Sequence, residues 1–339
     1  MKIGRIIGSV VIGIIALSVG WAFMQDHGAK VPRNVAAAAP SGPAQAASGT
    51  AKITNGGKNC GQVTLHQGHY LGAITDNYPY KLTAYHTFVN RAGSAPNIIP
   101  YFVPWDMPFN ELAACQTIHL HALPLIQINP RLVNITSIAD GHYNKYLLRY
   151  ARAVKKFKHT IAISFGHEMN GSWYPWGYKH VSGAAFVRAW RTVHRQFTKV
   201  GARNVVWVWT VNREGPGISP LKNWWPGNAY VNWVGIDGHY IHPADTFNST
   251  FGATIRGIRK LTSDPVLIAE TAVAPGSAQP GQLANLFTSA GHAPGILGFV
   301  WFNIDARYHW HLGSDLAGED EFRREAKAYL TARAASTLP

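Results

Sequence analysis

Two glutamates stand at the ends of short apolar runs, where a buried strand would meet polar surroundings. Glu168 comes three residues after the run 161–165, and Glu270 ends the run 266–270. Such a pair can hydrolyse a glycosidic bond, because a protonated carboxyl donates to the leaving oxygen while an ionised one attacks the anomeric carbon. A gap of about 5–5.5 Å between the carboxyls retains the anomeric configuration and about 6.5–9.5 Å inverts it. The sequence leaves that gap open, and each glutamate alone is equally well explained as a structural acid paired with an arginine.

Aromatic residues gather beside both glutamates. The segment after Glu168 contains Trp173, Tyr174 and Trp176, and further rings follow other predicted strands at Trp105, Tyr240 and Trp301. Sugars present flat C–H faces that pack on such rings, and tyrosine and tryptophan keep a polar group for the hydroxyls. One tryptophan is more often part of a core than of a sugar site. Six rings near two carboxyls favour a saccharide site, with Trp173 and Trp176 as sugar contacts.

The elements that would position these side chains form a regular series. Apolar runs with the length of buried strands occur at 71–75, 98–103, 123–128, 161–165, 205–210, 233–237, 266–270 and 298–302. Helical spacing of apolar residues lies between several of them, most clearly over 143–157 and 184–199. Eight strands alternating with helices predict an α/β fold, a (β/α)₈ barrel whose active face lies at the carboxyl ends of the strands. A doubly wound sheet is disfavoured, because no glycine-rich phosphate loop follows the first strand.

The motifs around the two glutamates resemble those of the family 26 glycoside hydrolases. Residues 167–177 read HEMNGSWYPWG and resemble the family's acid/base segment, and 269–271 resemble its nucleophile strand. Residues 208–212, 238–240 and 300–303 resemble the ends of its fifth, sixth and eighth strands. The matches follow the expected order over about residues 65–315. The first segment is specific, whereas Ala-Glu-Thr alone would be weak.

This resemblance implies a retaining endo-acting β-glycanase, most often a β-1,4-mannanase. Glu168 would be the acid/base and Glu270 the nucleophile. The remaining roles that the resemblance implies are support of the catalytic centre by His167, stacking by Trp173, a hydrogen bond to the nucleophile from Tyr240, a floor under the reacting sugar from Trp301, and polar contacts from Asn212 and Asn303.

Two departures from the family pattern leave the substrate open. Residues 164–166 read Ser-Phe-Gly where many mannanases have Arg-Pro-Phe, and the loop 304–311 lacks a Lys-Glu pair found in many relatives. Mixed-linkage β-1,3-1,4-glucan and β-1,3-xylan are therefore alternatives to mannan. A cell-surface protein that binds carbohydrate without turnover is a further alternative, against which the presence of both glutamates argues.

The amino-terminal region predicts export. Two basic residues precede the uncharged run 6–24, which is longer than the core of most signal peptides and close to the length of a spanning helix. We expect a signal peptide or membrane anchor over 1–26, a linker rich in Ala, Pro, Gly and Ser over 27–55, and a single catalytic domain over 56–335. The domain would be secreted or anchored to the outer face of the cytoplasmic membrane, with membrane contact only through the amino-terminal segment.

The composition limits the classes of partner that the protein is expected to bind. The chain has 31 Lys and Arg against 17 Asp and Glu, a net charge of +14, but no nucleic-acid motif. None of its 16 histidines lies in an H-x-x-x-H or Cys/His pattern, so we expect neither metal nor cofactor. Cys60 and Cys115 form either a disulfide or two separate buried thiols. The expected partner is a polysaccharide, bound by a monomer.

Overall fold

The computed structural model describes residues 60–63, 65, 68–306 and 308–336. The predicted export segment at 1–26 and the predicted linker at 27–55 lie outside these ranges, so both stay predictions. Among the helices of the described part, none combines the length and the apolar character that crossing a membrane requires.

Eight parallel strands close into a barrel in which each pairs with its neighbours in the chain and the last pairs with the first. They are β1 (Tyr70–Thr75), β2 (Ile98–Pro104), β3 (Leu123–Asn129), β4 (Ile161–Phe165), β5 (Val205–Asn212), β6 (Trp233–Asp237), β7 (Val266–Thr271) and β8 (Ile296–Asn303). All eight predicted strands are confirmed, and so is the (β/α)₈ architecture.

Helices surround the barrel. They are α1 (Thr83–Ala92), α2 (Glu111–His119), α3 (Ile135–Ala139), α4 (Asn144–Phe157), α5 (Gly183–Val200), α6 (Phe247–Arg259), α7 (Gln279–His292) and α8 (Leu316–Ser336). The predicted helices at 143–157 and 184–199 correspond to α4 and α5. Two short 3₁₀ turns, Leu221–Asn223 and Asn228–Tyr230, lie in the connection between β5 and β6.

Side chains along each strand point alternately into the barrel and outwards to the helices. Inside the barrel, the Ser164 hydroxyl of β4 donates to the Thr210 hydroxyl of β5 at 3.0 Å. Outside it, Phe322 of α8 packs edge-to-face on Phe88 of α1 and on Phe287 of α7, with ring centroids 5.9 and 5.1 Å apart. Since successive residues of a strand point to opposite sides, one side chain reaches the interior and the next reaches the helices. This alternation decides which strand-end side chains can meet.

Cys60 and Cys115 form a disulfide, with an S–S distance of 2.05 Å. Of the two alternatives that the sequence leaves open, the structure therefore has the bridge. It ties the segment before β1 to α2 and spans 55 residues of chain. Cross-links over long loops stabilise chiefly by restricting the unfolded chain.

Candidate active site

A sharp turn after β4 positions Glu168. Gly166 and Glu168 both have positive φ, 58° and 53°, and the Glu168 backbone N–H donates to the Thr210 carbonyl at 2.9 Å. A Cβ at Gly166 would lie 2.9 Å from the Phe186 ring, so glycine is required there by contact as well as by conformation. A left-handed glutamate is strained, and such strain persists where the surrounding structure holds it. The Glu168 side chain is buried at the carboxyl end of β4.

Two N–H donors hold the Glu168 carboxylate. The Asn212 amide donates to Oε1 at 2.5 Å, and the Trp173 indole donates to Oε2 at 2.7 Å. Asn170 in turn pairs with the backbone of Asn212, accepting from its N–H at 2.9 Å and donating to its carbonyl at 2.8 Å. The ends of β4 and β5 are thus locked together around the carboxylate. A Cβ at Gly171 would lie 2.3 Å from the Trp173 ring, so the glycine lets this ring lie against the backbone.

His167 is fixed between two polar partners. Its Nδ1 lies 3.1 Å from the Asn129 side-chain oxygen, and its Nε2 lies 3.2 Å from the Tyr174 hydroxyl. Burial lowers the pKa of His167 to about 3, so the ring is neutral at neutral pH. A neutral imidazole has one donor and one acceptor nitrogen, and the two contacts satisfy both. His167 therefore orients the loop beside Glu168.

Trp176 is buried under this loop. Its indole N–H donates to the His167 carbonyl at 2.8 Å, and its ring stacks on Tyr174 with centroids 4.3 Å apart. Only 1% of Trp176 is exposed. The predicted sugar contact from Trp176 is therefore corrected: the ring supports Tyr174, which is partly exposed above it.

Glu270 lies at the end of β7, buried next to Asp237 of β6 and to His239, which follows that strand. The Gly238 backbone N–H donates to the Glu270 carbonyl at 3.0 Å, and Asp237 pairs with Glu270 in the strand register. His239 Nε2 lies 3.8 Å from Glu270 Oε1. Asp237 is 1% exposed, and both of its carboxyl oxygens lack a hydrogen-bond partner within the described part of the chain.

Three buried carboxyls thus share the centre. Burial raises the pKa of Glu168, while the Asn212 and Trp173 hydrogen bonds act in the opposite direction. Burial and the Glu168 charge raise the pKa of Glu270 well above its usual range. The pKa of Asp237 is also raised well above its usual range, chiefly by burial and then by the charges of Glu270 and Glu168. Since like charges in a buried site oppose one another, the three groups titrate as a set and retain a proton to higher pH than isolated carboxyls.

Aromatic rings enclose the side of the site that contains Glu270. The His239 ring lies 4.8 Å from that of Trp310 and 5.6 Å from that of Phe302, in edge contact with the latter. Burial, with a smaller contribution from the Arg213 charge, lowers the pKa of His239 to about 3. His239 is therefore a neutral imidazole beside Glu270.

The predicted role of Tyr240 is corrected. Its hydroxyl donates to the Asn285 side-chain oxygen of α7 at 3.2 Å, and its ring contacts Phe251 of α6. Tyr240 thus points to the helices, and its neighbour His239 faces Glu270 instead. Adjacent residues of an extended chain point to opposite sides, so a prediction that is wrong by one position selects the wrong side of the barrel wall.

Trp301 is corrected for the same reason. Its ring packs on Phe322 of α8 at 5.2 Å, and its indole donates to the Trp310 carbonyl at 3.2 Å. The rings next to the catalytic centre are those of Phe302, one position later in β8, and Trp310. Neither was predicted, although alternation along β8 was a signal for Phe302.

Asn303 holds the loop after β8. Its side-chain oxygen accepts from the Leu312 backbone N–H at 2.7 Å, and the residue is buried. This bond is structural, and the predicted sugar contact of Asn303 stays a prediction. In the same loop, His311 contacts Asp76 and Asp305 at 2.8 and 2.9 Å, a polar chain at the rim that sequence analysis missed. Across the part of the chain that the structure describes, no three His, Cys, Asp or Glu side chains form a group that could hold a metal ion.

A comparison with known families decides the relationship. Residues 127–308, which are 182 of the 339 residues, match the sequence profile described as glycosyl hydrolase family 26. The chain belongs to glycosyl hydrolase family 26. The resemblance seen in residues 167–177 and 269–271 is thereby confirmed.

Individual relatives show how far the similarity reaches. Endoglucanase H of Acetivibrio thermocellus is 26% identical over 266 residues, which are 74% of this chain and 29% of the relative. β-1,3-Xylanase TXYA of a Vibrio species is 27% identical over 113 residues, 33% of this chain and 23% of the relative. The chain thus spans less than a third of the length of these curated relatives. A modular endo-β-1,4-mannanase from Cellulomonas fimi has the same fold, with a TM-score of 0.59, 16% identity, and coverage of 77% of this chain and 70% of that one.

Proposed function

We propose that this member of family 26 is a retaining endo-β-glycanase that hydrolyses β-1,4-linked mannan by double displacement. The observation that carries the proposal is the placement of Glu168 and Glu270 at the ends of β4 and β7, buried and near enough that the charge of Glu168 raises the pKa of Glu270. Two carboxyls in one enclosed site supply the acid and the nucleophile that glycoside hydrolysis requires.

In the first step, the Glu270 carboxylate attacks the anomeric carbon while Glu168 gives its proton to the leaving oxygen. The proton is available because burial raises the pKa of Glu168 and the neighbouring carboxyls oppose its loss. Once Glu270 is a glycosyl ester, its charge is gone and Glu168 ionises more readily. In the second step, Glu168 takes a proton from a water molecule, whose oxygen attacks the anomeric carbon and displaces the Glu270 carboxylate, so the sugar leaves with its original anomeric configuration.

The polar partners of Glu168 suit this change of state. The N–H groups of Asn212 and Trp173 stabilise the carboxylate that forms when Glu168 has given up its proton. Trp173 also remains partly exposed, so the face of its ring is available to stack on a sugar. His167 holds Tyr174 and the loop in place without carrying charge.

The substrate part of the proposal rests on similarity. A β-mannanase shares the fold over 77% of this chain, which supports mannan. The alignment with Endoglucanase H covers 74% of this chain, and it favours mixed-linkage β-1,3-1,4-glucan as the second candidate. The match to a β-1,3-xylanase is shorter and makes β-1,3-xylan the third.

We further propose that the enzyme works outside the cytoplasm as a monomer, secreted or held by its amino-terminal segment. The Cys60–Cys115 disulfide supports export, because disulfides persist mainly in oxidising compartments. Accessibility of the domain to an external protease in intact cells would test this location.

Reducing-end release by the full chain on β-mannan, mixed-linkage β-glucan and β-1,3-xylan tests the function. We expect activity on mannan, its absence in Glu270→Ala, and products that NMR shows to form first with the β configuration. Release from glucan or xylan alone would move the substrate to that polymer. A folded protein that releases sugar from none of the three would overturn the proposal, and product formed first as the α anomer would overturn the retaining mechanism.

A further inference from the structure

A cleft of about 750 Å³ opens beside the Glu168 loop, between the connection that follows β4 and the one that follows β5. The residues lining it include Tyr178, Lys179, His180, Lys222, Trp224 and Trp225, and none of its lining residues is acidic. The cleft contains neither Glu168 nor Glu270, so it is separate from the catalytic centre.

Both walls of the cleft are tied to the surroundings of Glu168. On one side, His180 Nε2 donates to the Ser172 carbonyl at 2.9 Å, and the next residue, Trp173, donates to Glu168. On the other side, the Ser219 backbone N–H donates to the Asn170 carbonyl at 2.9 Å, two residues after Glu168. The cleft therefore borders the segment that carries Glu168.

The charge of the cleft is positive and not neutralised. Lys179 and Lys222 are exposed, and neither forms a salt bridge within the residues that the structure describes. The Lys179 ammonium lies 5.9 Å from the centre of the Tyr178 ring, which keeps it near the lining. A concave site with one sign of charge concentrates ligands of the opposite sign.

The cleft also offers surfaces for a sugar. The rings of Tyr178 and Trp225 are partly exposed. Partly exposed rings beside two lysines without salt bridges are the groups that would bind an acidic sugar, since the rings take its apolar face and the lysines its carboxylate.

We propose that this cleft binds a carboxylate-bearing sugar unit, such as a hexuronic acid, on the leaving-group side of the glycan. The inference rests on the proposed hydrolase function for the direction of the chain, and it specifies that function: among β-1,4-linked substrates, chains that carry acidic units are bound in preference to wholly neutral ones.

The test compares three tetrasaccharides with a β-1,4-linked backbone by calorimetry, using the full chain with Glu270→Gln to prevent turnover. One carries a hexuronic acid at its reducing end, one carries it at its non-reducing end, and one has the reducing-end carboxyl reduced to a hydroxymethyl group. We expect tighter binding of the first, with about two- to fivefold lost for each of Lys179→Gln and Lys222→Gln, because partly exposed ion pairs contribute modestly. The preference should fall at high salt.

Lys156→Gln is the matched control. Lys156 is exposed and lies in the last turn of α4, at the opposite end of the barrel. Its substitution removes the same charge as Lys179→Gln or Lys222→Gln. Equal affinity for the three saccharides, no detectable binding of the acidic one, or an equal effect of Lys156→Gln would overturn the inference. Hydrolysis of neutral polymers without any preference for acidic ones would support the proposed hydrolase function and overturn the inference about the cleft. A preference that depends on both lysines, in a protein that hydrolyses no glycan, would support the cleft and overturn the hydrolase function.

Discussion

The two glutamates of the site are held in different ways. Both carboxylate oxygens of Glu168 accept N–H hydrogen bonds, at 2.5 and 2.7 Å. Glu270 has a neutral His239 at 3.8 Å and the carboxyl of Asp237, whose oxygens have no hydrogen-bond partner in the described part of the molecule. Donors around a carboxyl stabilise its charge, whereas a second carboxyl opposes it. The Glu168 side is therefore already solvated by protein groups, and the Glu270 side keeps its carboxylate in a less favourable state.

This difference suits the proposed chemistry. A carboxylate that attacks carbon reacts faster when little stabilises its charge, because fewer interactions are lost as the bond forms. An acid that must turn into a base gains from donors that favour its ionised form. The surroundings of Glu168 and of Glu270 thus differ in how they treat a negative charge, and the following variants should affect them differently.

Removing the nucleophile should have the largest effect. We expect Glu270→Ala to lower turnover by at least about 10³-fold, the scale seen when a covalent nucleophile is removed. Sugar binding and folding should remain near those of the wild type, measured by calorimetry and circular dichroism. Glu111→Ala in the first turn of α2 removes a carboxyl outside the site and should leave turnover unchanged. Appreciable residual activity in Glu270→Ala would remove Glu270 from its proposed role.

Removing the acid should have a substrate-dependent effect. Glu168→Ala should lower activity on polysaccharide by about 10²–10⁴-fold, the usual contribution of general acid catalysis. Aryl glycosides with acidic leaving groups need little protonation, so the first step on them should be nearly spared. Kinetics on both substrates, with Glu270→Ala as the variant that loses both, separates the two roles. Equal losses on both substrates would contradict an acid role for Glu168.

The surroundings of Glu168 could be predicted from the sequence better than those of Glu270. The surroundings of Glu168 come largely from one continuous segment, so a local motif placed His167, Trp173 and Glu168 together correctly. The strands were also predictable within about two residues, because a strand buried on both sides is a continuous apolar run. β8 shows the limit, since it begins at Ile296, before the predicted start at 298.

The surroundings of Glu270 come from β6, β8 and the loop after β8, which meet only in the folded barrel. At the end of β8, Trp301 and Phe302 are both apolar, so hydrophobicity does not show which of them faces inward. After β6 the polar residues Asp237 and His239 alternate with Tyr240, a signal that the prediction for Tyr240 did not use. Both predictions were wrong by one position. Trp310 lies in an irregular loop without periodicity, and the contacts that hold this loop come from distant parts of the chain, among them the bond from the Leu312 N–H to Asn303.

A pair of neighbouring variants tests that correction. His239→Ala should lower kcat by about 10- to 100-fold if the imidazole comes to donate to Glu270 when substrate binds, since a hydrogen bond to a charged group contributes about 1.5–3 kcal/mol. Tyr240→Phe should leave kcat within about twofold and lower only the thermal stability, because its hydroxyl bonds Asn285. The reverse result, with the tyrosine variant impaired in kcat, would restore the role predicted for Tyr240.

The buried Asp237 should make the thermal stability of the protein depend on pH. Its folded-state pKa is raised, so folding opposes its ionisation; the penalty is absent below the unfolded pKa of about 3.9 and grows as pH rises towards the folded pKa. Asp237→Asn should therefore raise Tm at pH 8 and have little effect at pH 4, in thermal unfolding across this range. Asp320→Asn, an exposed site on α8, should show no such trend. A stabilisation that is larger at pH 4 would contradict the sign of the shift.

The smallest effect should come from removing the indole N–H of Trp173, one of the two donors to Glu168. Trp173→Phe keeps a ring and removes the donor to Glu168 Oε2, so the pKa of Glu168 should rise, because that hydrogen bond favours the carboxylate. The alkaline limb of kcat/KM reports the acid in the free enzyme and should move to higher pH, with the maximal rate changed by less than about fivefold. Trp225→Phe changes a tryptophan that does not contact Glu168, and it should leave that limb in place. A limb that moves to lower pH in Trp173→Phe would mean that the indole does not stabilise the ionised acid, and the contrast between the two glutamates would then rest on Asn212 alone.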